Sequence, residues 1–258
     1  DRDPIRLVQD RHGPAQEPII RADGTTLGAD NGIGLALAMA AATTPEVVHP
    51  PLEILCTIDE EMGMTGAKAL APDFFRGRRM LNLDSEEDDA LYIGCAGGCD
   101  TTITLDLKGA QPTSKFNVWR VTVAGLRGGH SGVDIHQNRG NAIKLLVQTL
   151  SGVDDGRLRV AALRGGTKRN VIPREASALV IGAGNLGAKL SASGDQVHAT
   201  AVRSGGESGC TITVERALAS DVTLAATPKD TRRLLTLLTA LPHGVLAVVP
   251  EIPGLVQT

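Results

Sequence analysis

The sequence predicts an α/β protein: an open, mostly parallel sheet flanked by helices in its first part, and a smaller antiparallel α+β unit after it. Three observations carry that prediction. Short aliphatic runs stand at residues 52–58 and 80–83, small and aliphatic residues recur at helical spacing over residues 32–42, and acidic residues stand where these elements end or begin. Aliphatic runs this short, bounded by turn-forming residues, suit strands buried on both faces, as parallel strands are. Strand alternating with helix is the layout of an open sheet that carries its site at the carboxyl edge.

The elements follow in order. The first 24 residues are polar and interrupted by Pro4, Gly13 and Pro18, and read as loop with room for one strand. Residues 32–42 form a buried helix that stops before Thr43, Thr44 and Pro45. The run at 52–58 starts after Pro50 and Pro51 and ends in an acidic cluster; a short helix over 66–70 leads to the second buried strand at 80–83. Gly, Pro, Thr and Ser between 109 and 115 form a hinge, which divides the chain into domains 1–113 and 114–258. Beyond it, residues 118–123 alternate like a half-buried antiparallel strand, 141–150 make an amphipathic helix, 158–163 and 171–181 are strands, and 231–241 form another helix. Two helices covering one antiparallel sheet is the expected arrangement. Residues 182–209, rich in Gly, Ser and Ala, read as a flexible loop or a weak helix.

Composition narrows the partners. One Trp, one Tyr and three Phe in 258 residues leave the core to Val, Leu, Ile and Ala and argue against aromatic platforms for bases. A net charge of -3 with no long Lys/Arg cluster speaks against nucleic acid and against an anionic membrane surface. The apolar runs at 35–42 and 245–249 are far shorter than the roughly 20 residues that span a bilayer. The opening Asp-Arg-Asp-Pro lacks the pattern of a secretory signal, so a cytoplasmic location is expected. Cys56, Cys95, Cys99 and Cys210 are too few and too irregular for a disulfide framework and read as structural thiols. A small-molecule partner remains.

Three acidic segments stand at the ends of predicted buried elements: Gly28-Ala29-Asp30-Asn31-Gly32, Asp59-Glu60-Glu61-Met62-Gly63 and Asn82-Leu83-Asp84-Ser85-Glu86-Glu87. An anion at the end of an apolar strand is costly to desolvate, and a divalent cation is the strongest local compensation. Any one segment alone would read as a helix cap or a solvated loop; three together point to metal. Carboxylates converging at one sheet edge can hold a pair of metal ions that share a bridging carboxylate and a water. Neighbouring side chains of an extended segment point in different directions, so of Glu60 and Glu61 one can ligate while the other serves as general base. The run 86–89, four acids without an apolar boundary, reads as a solvated face.

These segments, with Gly94-Cys95-Ala96-Gly97-Gly98, Gly128-Gly129-His130-Ser131-Gly132 and Arg169-Asn170-Val171-Ile172-Pro173-Arg174-Glu175, resemble in order the motifs of the aminoacyl-histidine dipeptidases. The resemblance covers about the first two thirds of the chain and weakens beyond Gly182. It implies a zinc-peptidase-type α/β domain followed by a lid that mediates homodimerisation, and hydrolysis of small dipeptides ending in histidine. It further implies Asp30 as the carboxylate bridging two Zn2+ ions, with Mn2+ or Co2+ as substitutes, Glu61 and Asp84 as terminal metal ligands, and Glu60 as the general base. A non-proline cis peptide is implied at Asp30-Asn31. His130 would polarise the scissile carbonyl, and Asn170 and Arg174 would contact the substrate carboxylate.

The same resemblance implies a His-x-Asp motif upstream of Asp30 and a further histidine ligand near the far C-terminus. His12 is followed by Gly13-Pro14 and His243 by Gly244-Val245, so neither stands in a matching context. The chain is therefore expected to be an internal fragment in which each metal lacks one neutral nitrogen ligand. Two other readings stay open: an amidohydrolase of the same clan that acts on N-acyl amino acids, and a non-catalytic remnant that keeps the fold without the metals.

Overall fold

Among the described residues of 1–96, backbone pairing runs mainly through a hairpin, a long helix and one short helical turn. The computed structural model describes residues 4–12, 17–61, 63–85, 90–92, 94–95, 97–112, 116–252 and 254–257, and it separates residues 1–96 from residues 97–258 as two units. In the first, β1 (Leu7–His12) and β2 (Glu17–Ala22) pair antiparallel, with Leu7 opposite Ala22. Helix α1 (Ala29–Thr43) has non-helical backbone angles at Asp30 and Asn31, and its regular turns begin where the Asn31 Oδ1 accepts from the Gly34 N–H at 2.9 Å. That is the capping a short polar side chain provides. A Cβ on Gly34 would lie 2.6 Å from the Asn31 amide, so the cap needs glycine there. Helix α2 (Thr65–Lys68) follows close to its expected place.

The mostly parallel sheet is not found among the described residues, where every ladder runs antiparallel. Residues 52–58 and 80–83 form no strands, and Leu52, Ile54, Leu81 and Leu83 are exposed. Helix α1 forms as expected but is not buried: Ile33, Leu37 and Met39 are exposed. The physical reason is common to all three. An aliphatic run supplies an apolar face, but a parallel strand also needs a neighbouring strand to pair with, and a helix needs a sheet face to cover. With its helices and strands the chain remains in the α/β class.

The second unit comprises β3 (Gly109–Ala110), β4 (Asn117–Ala124), β5 (Gly129–His130), α3 (Ala142–Ser151), β6 (Arg159–Gly165), β7 (Val171–Ile172), β8 (Ala176–Gly182), α4 (Leu186–Gly205), β9 (Thr211–Ala217), β10 (Ala225–Ala226) and α5 (Pro228–Ala240). Its sheet has the order β6-β8-β4-β9, with Val121 opposite both Ala178 and Val214. Period-two alternation along β4 sends Val121 and Val123 into a core with Leu146, Leu150 and Leu190 from α3 and α4. Val118 joins a smaller cluster with Leu179, Ile181 and Val222. The expected strand at 171–181 is interrupted at Pro173, which has no N–H for a ladder.

Among the described residues of this unit three α-helices pack, not two. Of the two readings of residues 182–209, loop or weak helix, the structure takes the helix, the 20-residue α4, and β9 follows it. Its small residues serve close approach rather than flexibility. A Cβ on Gly187 would collide with the Trp119 ring, and one on Gly194 would lie 3.0 Å from Ile212, while Leu186 and Leu190, one turn apart, are buried.

The second unit starts at Gly97, ahead of the hinge expected at 109–115, of which residues 113–115 lie outside the described residues. The start of that expected hinge is fastened to the second unit by Arg159, a buried guanidinium that donates from Nε to Ala226 O (3.0 Å) and from Nη2 to Ala225 O (2.8 Å) and Ala110 O (2.7 Å). It ties the β3–β10 pair to β6, and Lys108 N donates to Asp230 Oδ2 at 3.0 Å beside it. Replacing Arg159→Met removes these three charge-assisted hydrogen bonds and is expected to lower the unfolding free energy by about 2–4 kcal/mol. Urea titration followed by circular dichroism checks this; a loss below about 0.5 kcal/mol would contradict the role assigned to Arg159.

Candidate functional site

The loop that leaves β4 is built from glycines because the chain must pass close to itself. Gly128 has φ 63° and Gly129 φ 144°, and side chains there would collide with Arg174 and Arg139 respectively. This frees the backbone to form β5, where Gly129 pairs with Ile172 and His130 with Val171 of β7. Ser131 N then donates to Asn170 O at 2.8 Å. His130 is exposed, and its Nδ1 accepts from the N–H groups of Gly132 and Val133, both at 3.1 Å.

Both ends of the loop are held by one side chain. Glu207, with 1% of its side chain exposed, accepts from Arg127 N at 3.0 Å through Oε2 and from Gly140 N at 2.7 Å through Oε1. Burial alone would raise this carboxyl. The two N–H donors and the Arg127 guanidinium, 3.5 Å away, outweigh burial and hold it below the ordinary carboxylate range. Inside the loop, Asp134 Oδ1 accepts from Arg139 Nη2 (3.0 Å) and Gln137 Nε2 (2.9 Å), and Arg139 Nη1 donates to Gly128 O at 2.6 Å.

Next to this loop lies a cavity of about 490 Å³ whose lining includes Ser131, Asn141, Lys168, Arg169, Pro173 and His243. The His243 Nε2 faces Arg139 O at 3.1 Å and must donate, since a carbonyl only accepts. Its Nδ1 then accepts from the Asn141 amide at 3.2 Å, while the Asn141 Oδ1 caps α3 through Ile143 N and Lys144 N. Asn170 and Arg174, expected to contact a substrate carboxylate, flank the cavity in sequence but do not line it. Both are exposed, and the Arg174 Nε donates to Leu126 O at 3.1 Å, which bolts β4's exit to the turn before β8.

The acids of the first unit are placed separately. Asp30 sits at the start of α1, and its bond to Asn31 is cis, at the position the resemblance implies. Glu60 and Glu61 lie in the turn after Asp59, whose carbonyl accepts from Met64 N (2.7 Å) and whose Oδ2 accepts from the Thr65 hydroxyl (2.8 Å). Asp84 N donates to Asn82 Oδ1 at 3.1 Å. Asp30, Glu60, Glu61 and Asp84 are all exposed, and among the described residues no three His, Cys, Asp or Glu side chains are gathered to hold a metal ion. Three carboxylates with no neutral nitrogen also make an incomplete donor set for zinc. The described residues therefore do not by themselves fit a complete metal centre. The acidic run 86–89 lies outside them. Of the thiols, Cys56, Cys95 and Cys99 are exposed, and only Cys210 is buried as a structural thiol would be.

Asp134, Arg139, Glu207 and His243 are the functional candidates that sequence reasoning misses. Charged residues five apart in a glycine-rich loop were a faint signal for the first two, whereas nothing local marks Glu207, 67 residues from the backbone it holds.

Comparison with known proteins follows the same outline. Residues 121–181 match the family model described as peptidase dimerisation domain. Over 162 residues the chain is 48% identical to the cytosol non-specific dipeptidase of Escherichia coli (strain K12), which covers 62% of this chain and 33% of that protein. The crystal structure of aminoacylhistidine dipeptidase from Vibrio alginolyticus superposes with TM-score 0.73 and 34% identity over 99% of this chain and 51% of that one. The chain thus spans about half the length of the solved relative and a third of the curated one.

Because the folded value of Glu207 lies below its unfolded one, its contribution to stability is present above about pH 4.3, the ordinary glutamate value, and is lost as pH falls through the folded value. Glu207→Gln is expected to flatten the acid limb of the stability curve and to lower stability by about 1–3 kcal/mol at neutral pH. Denaturant titrations across the acid range measure both. An unchanged acid limb would show that this carboxylate does not carry the pH dependence.

Proposed function

Since the chain is a relative of the aminoacyl-histidine dipeptidases, we propose that it works in a metal-dependent dipeptidase that hydrolyses small dipeptides, with histidine as the preferred C-terminal residue. The observation that carries this reading is the match to the Vibrio enzyme over 99% of the chain at 34% identity. In this reading Asp30, Glu61 and Asp84 would hold a pair of Zn2+ ions, with Mn2+ or Co2+ able to replace them. Bound there, the metals would supply Lewis-acid chemistry, lowering the pKa of the attacking water and polarising the peptide carbonyl.

The remaining roles belong to this chain's own side chains. Glu60 takes the proton from the attacking water and returns it to the leaving amine. His130 donates to the carbonyl oxygen as negative charge develops on it. Asn170 and Arg174 hold the substrate carboxylate. The first domain, taken as 1–113, carries the metals, and the second, 114–258, acts as lid and homodimer contact, a reading supported by the dimerisation-domain match at 121–181. A cytoplasmic location is supported by the name of the Escherichia coli relative, and no described helix is long and apolar enough to cross a membrane.

The test uses the polypeptide encoded by the whole reading frame, supplied with zinc and assayed on histidine-terminated dipeptides and on N-acyl amino acids. The dipeptides are expected to show kcat/KM at least about tenfold higher, a difference of about 1.4 kcal/mol in transition-state binding. The reverse preference would transfer the protein to the amidohydrolases. Two adjacent substitutions separate the acid roles: Glu61→Ala is expected to lose zinc, whereas Glu60→Ala keeps zinc and loses about 10²- to 10⁴-fold in turnover. Equal zinc loss in both variants would show the two roles to be wrongly assigned.

A further inference from the structure

We propose that Asp134 and Arg139 are positioning residues that fix the His130 ring in its Nε2–H tautomer. The proposal rests on the reading of His130 as the donor to the carbonyl oxygen. A neutral imidazole has one nitrogen that donates and one that accepts. The His130 Nδ1 stands 3.1 Å from the N–H groups of Gly132 and Val133, and both of these can only donate. Nδ1 must therefore keep its lone pair, and the ring proton resides on Nε2. A ring in the other tautomer would aim its Nδ1 proton at two N–H protons and leave Nε2 as an acceptor, unable to donate to an oxygen gaining negative charge.

Those two N–H groups reach Nδ1 because the chain turns back between His130 and Asp134, and Asp134 closes that turn twice. Its N–H donates to His130 O at 3.0 Å, and its Oδ2 accepts from His130 N at 2.8 Å. The carboxylate is itself held, since Oδ1 accepts from Arg139 Nη2 at 3.0 Å and from Gln137 Nε2 at 2.9 Å. The same guanidinium reaches Gly128 O at 2.6 Å. Arg139 thus joins the backbone two residues before His130 to the carboxylate four residues after it. The Arg139 and Asp134 side chains are 20% and 21% exposed, which shields their pair from the screening that weakens surface ion pairs.

The experiment reads the ring rather than turnover. Long-range 1H–15N spectra of the labelled chain are recorded at about pH 8, above the ordinary histidine value, with His130 identified by its absence from the spectrum of His130→Gln. A pyridine-type Nδ1 and a pyrrole-type Nε2 are expected. In Asp134→Ala and in Arg139→Ala the two nitrogen shifts are expected to move toward each other as the tautomers mix, while Arg139→Lys, which keeps a donor to the carboxylate, stays closer to the parent. Amide resonances of Val121 and Val180 report that the sheet is intact; should the alanine variants fail to fold, the parent pattern and Arg139→Lys decide. An Nδ1–H or averaged pattern in the parent would overturn the proposal, as would unchanged shifts in both folded alanine variants. A fixed Nε2–H ring in a protein that hydrolyses no dipeptide would instead sink the functional reading and leave this inference standing.

Discussion

A single buried carboxylate, Glu207, sets the geometry on which the rest of the candidate site depends. An anion with 1% exposure persists only where donors replace its water, and Glu207 finds them in the N–H groups of Arg127 and Gly140 and in the Arg127 guanidinium. Because those two backbone positions bracket the loop of His130, satisfying the carboxylate and closing the loop are the same event. Gly140 leads directly into Asn141, which caps α3 and holds His243. One electrostatic requirement in the core thus reaches the loop, the start of a helix and one wall of the cavity.

Within the loop a second layer refines what the first encloses. The Arg139 to Asp134 pair, shielded from solvent, spans the His130 backbone from both sides. Glycine is needed at 128 and 129 because the side chains of Arg174 and Arg139 occupy the space a Cβ would take. The motif Gly128-Gly129-His130 is in this sense a consequence of packing as much as of chemistry. Its glycines make room for the residues that hold its histidine.

How much of this was legible in the sequence varies with the range of the interactions involved. Period-two alternation located β4 and helical spacing located α1, α3 and α5, while the motif order marked His130, Asn170 and the acids as candidates. Segment 182–209 was left between loop and weak helix because Gly187 and Gly194, which a composition argument counts as flexible, are close-packing contacts against Trp119 and Ile212 that exist only in three dimensions. Glu207 was invisible for the same reason: its partners lie 80 and 67 residues away. The runs at 52–58 and 80–83 carry the aliphatic pattern of buried strands, yet pattern alone does not supply a neighbour to pair with, and their side chains stand exposed. Asp30, Glu60, Glu61 and Asp84 share that condition: each is exposed, and among the described residues no three such side chains are gathered to hold a metal ion.

The proposed activity is hydrolysis of a peptide bond that depends on bound metal. The direct measurement is turnover of a histidine-terminated dipeptide by the polypeptide of the whole reading frame, before and after a chelator strips its metal, with metal content determined on the same samples. Activity is expected to disappear with the metal and to return when zinc is restored, because bound metal would both lower the pKa of the attacking water and polarise the carbonyl. Turnover that continues undiminished in protein shown to be metal-free would contradict it.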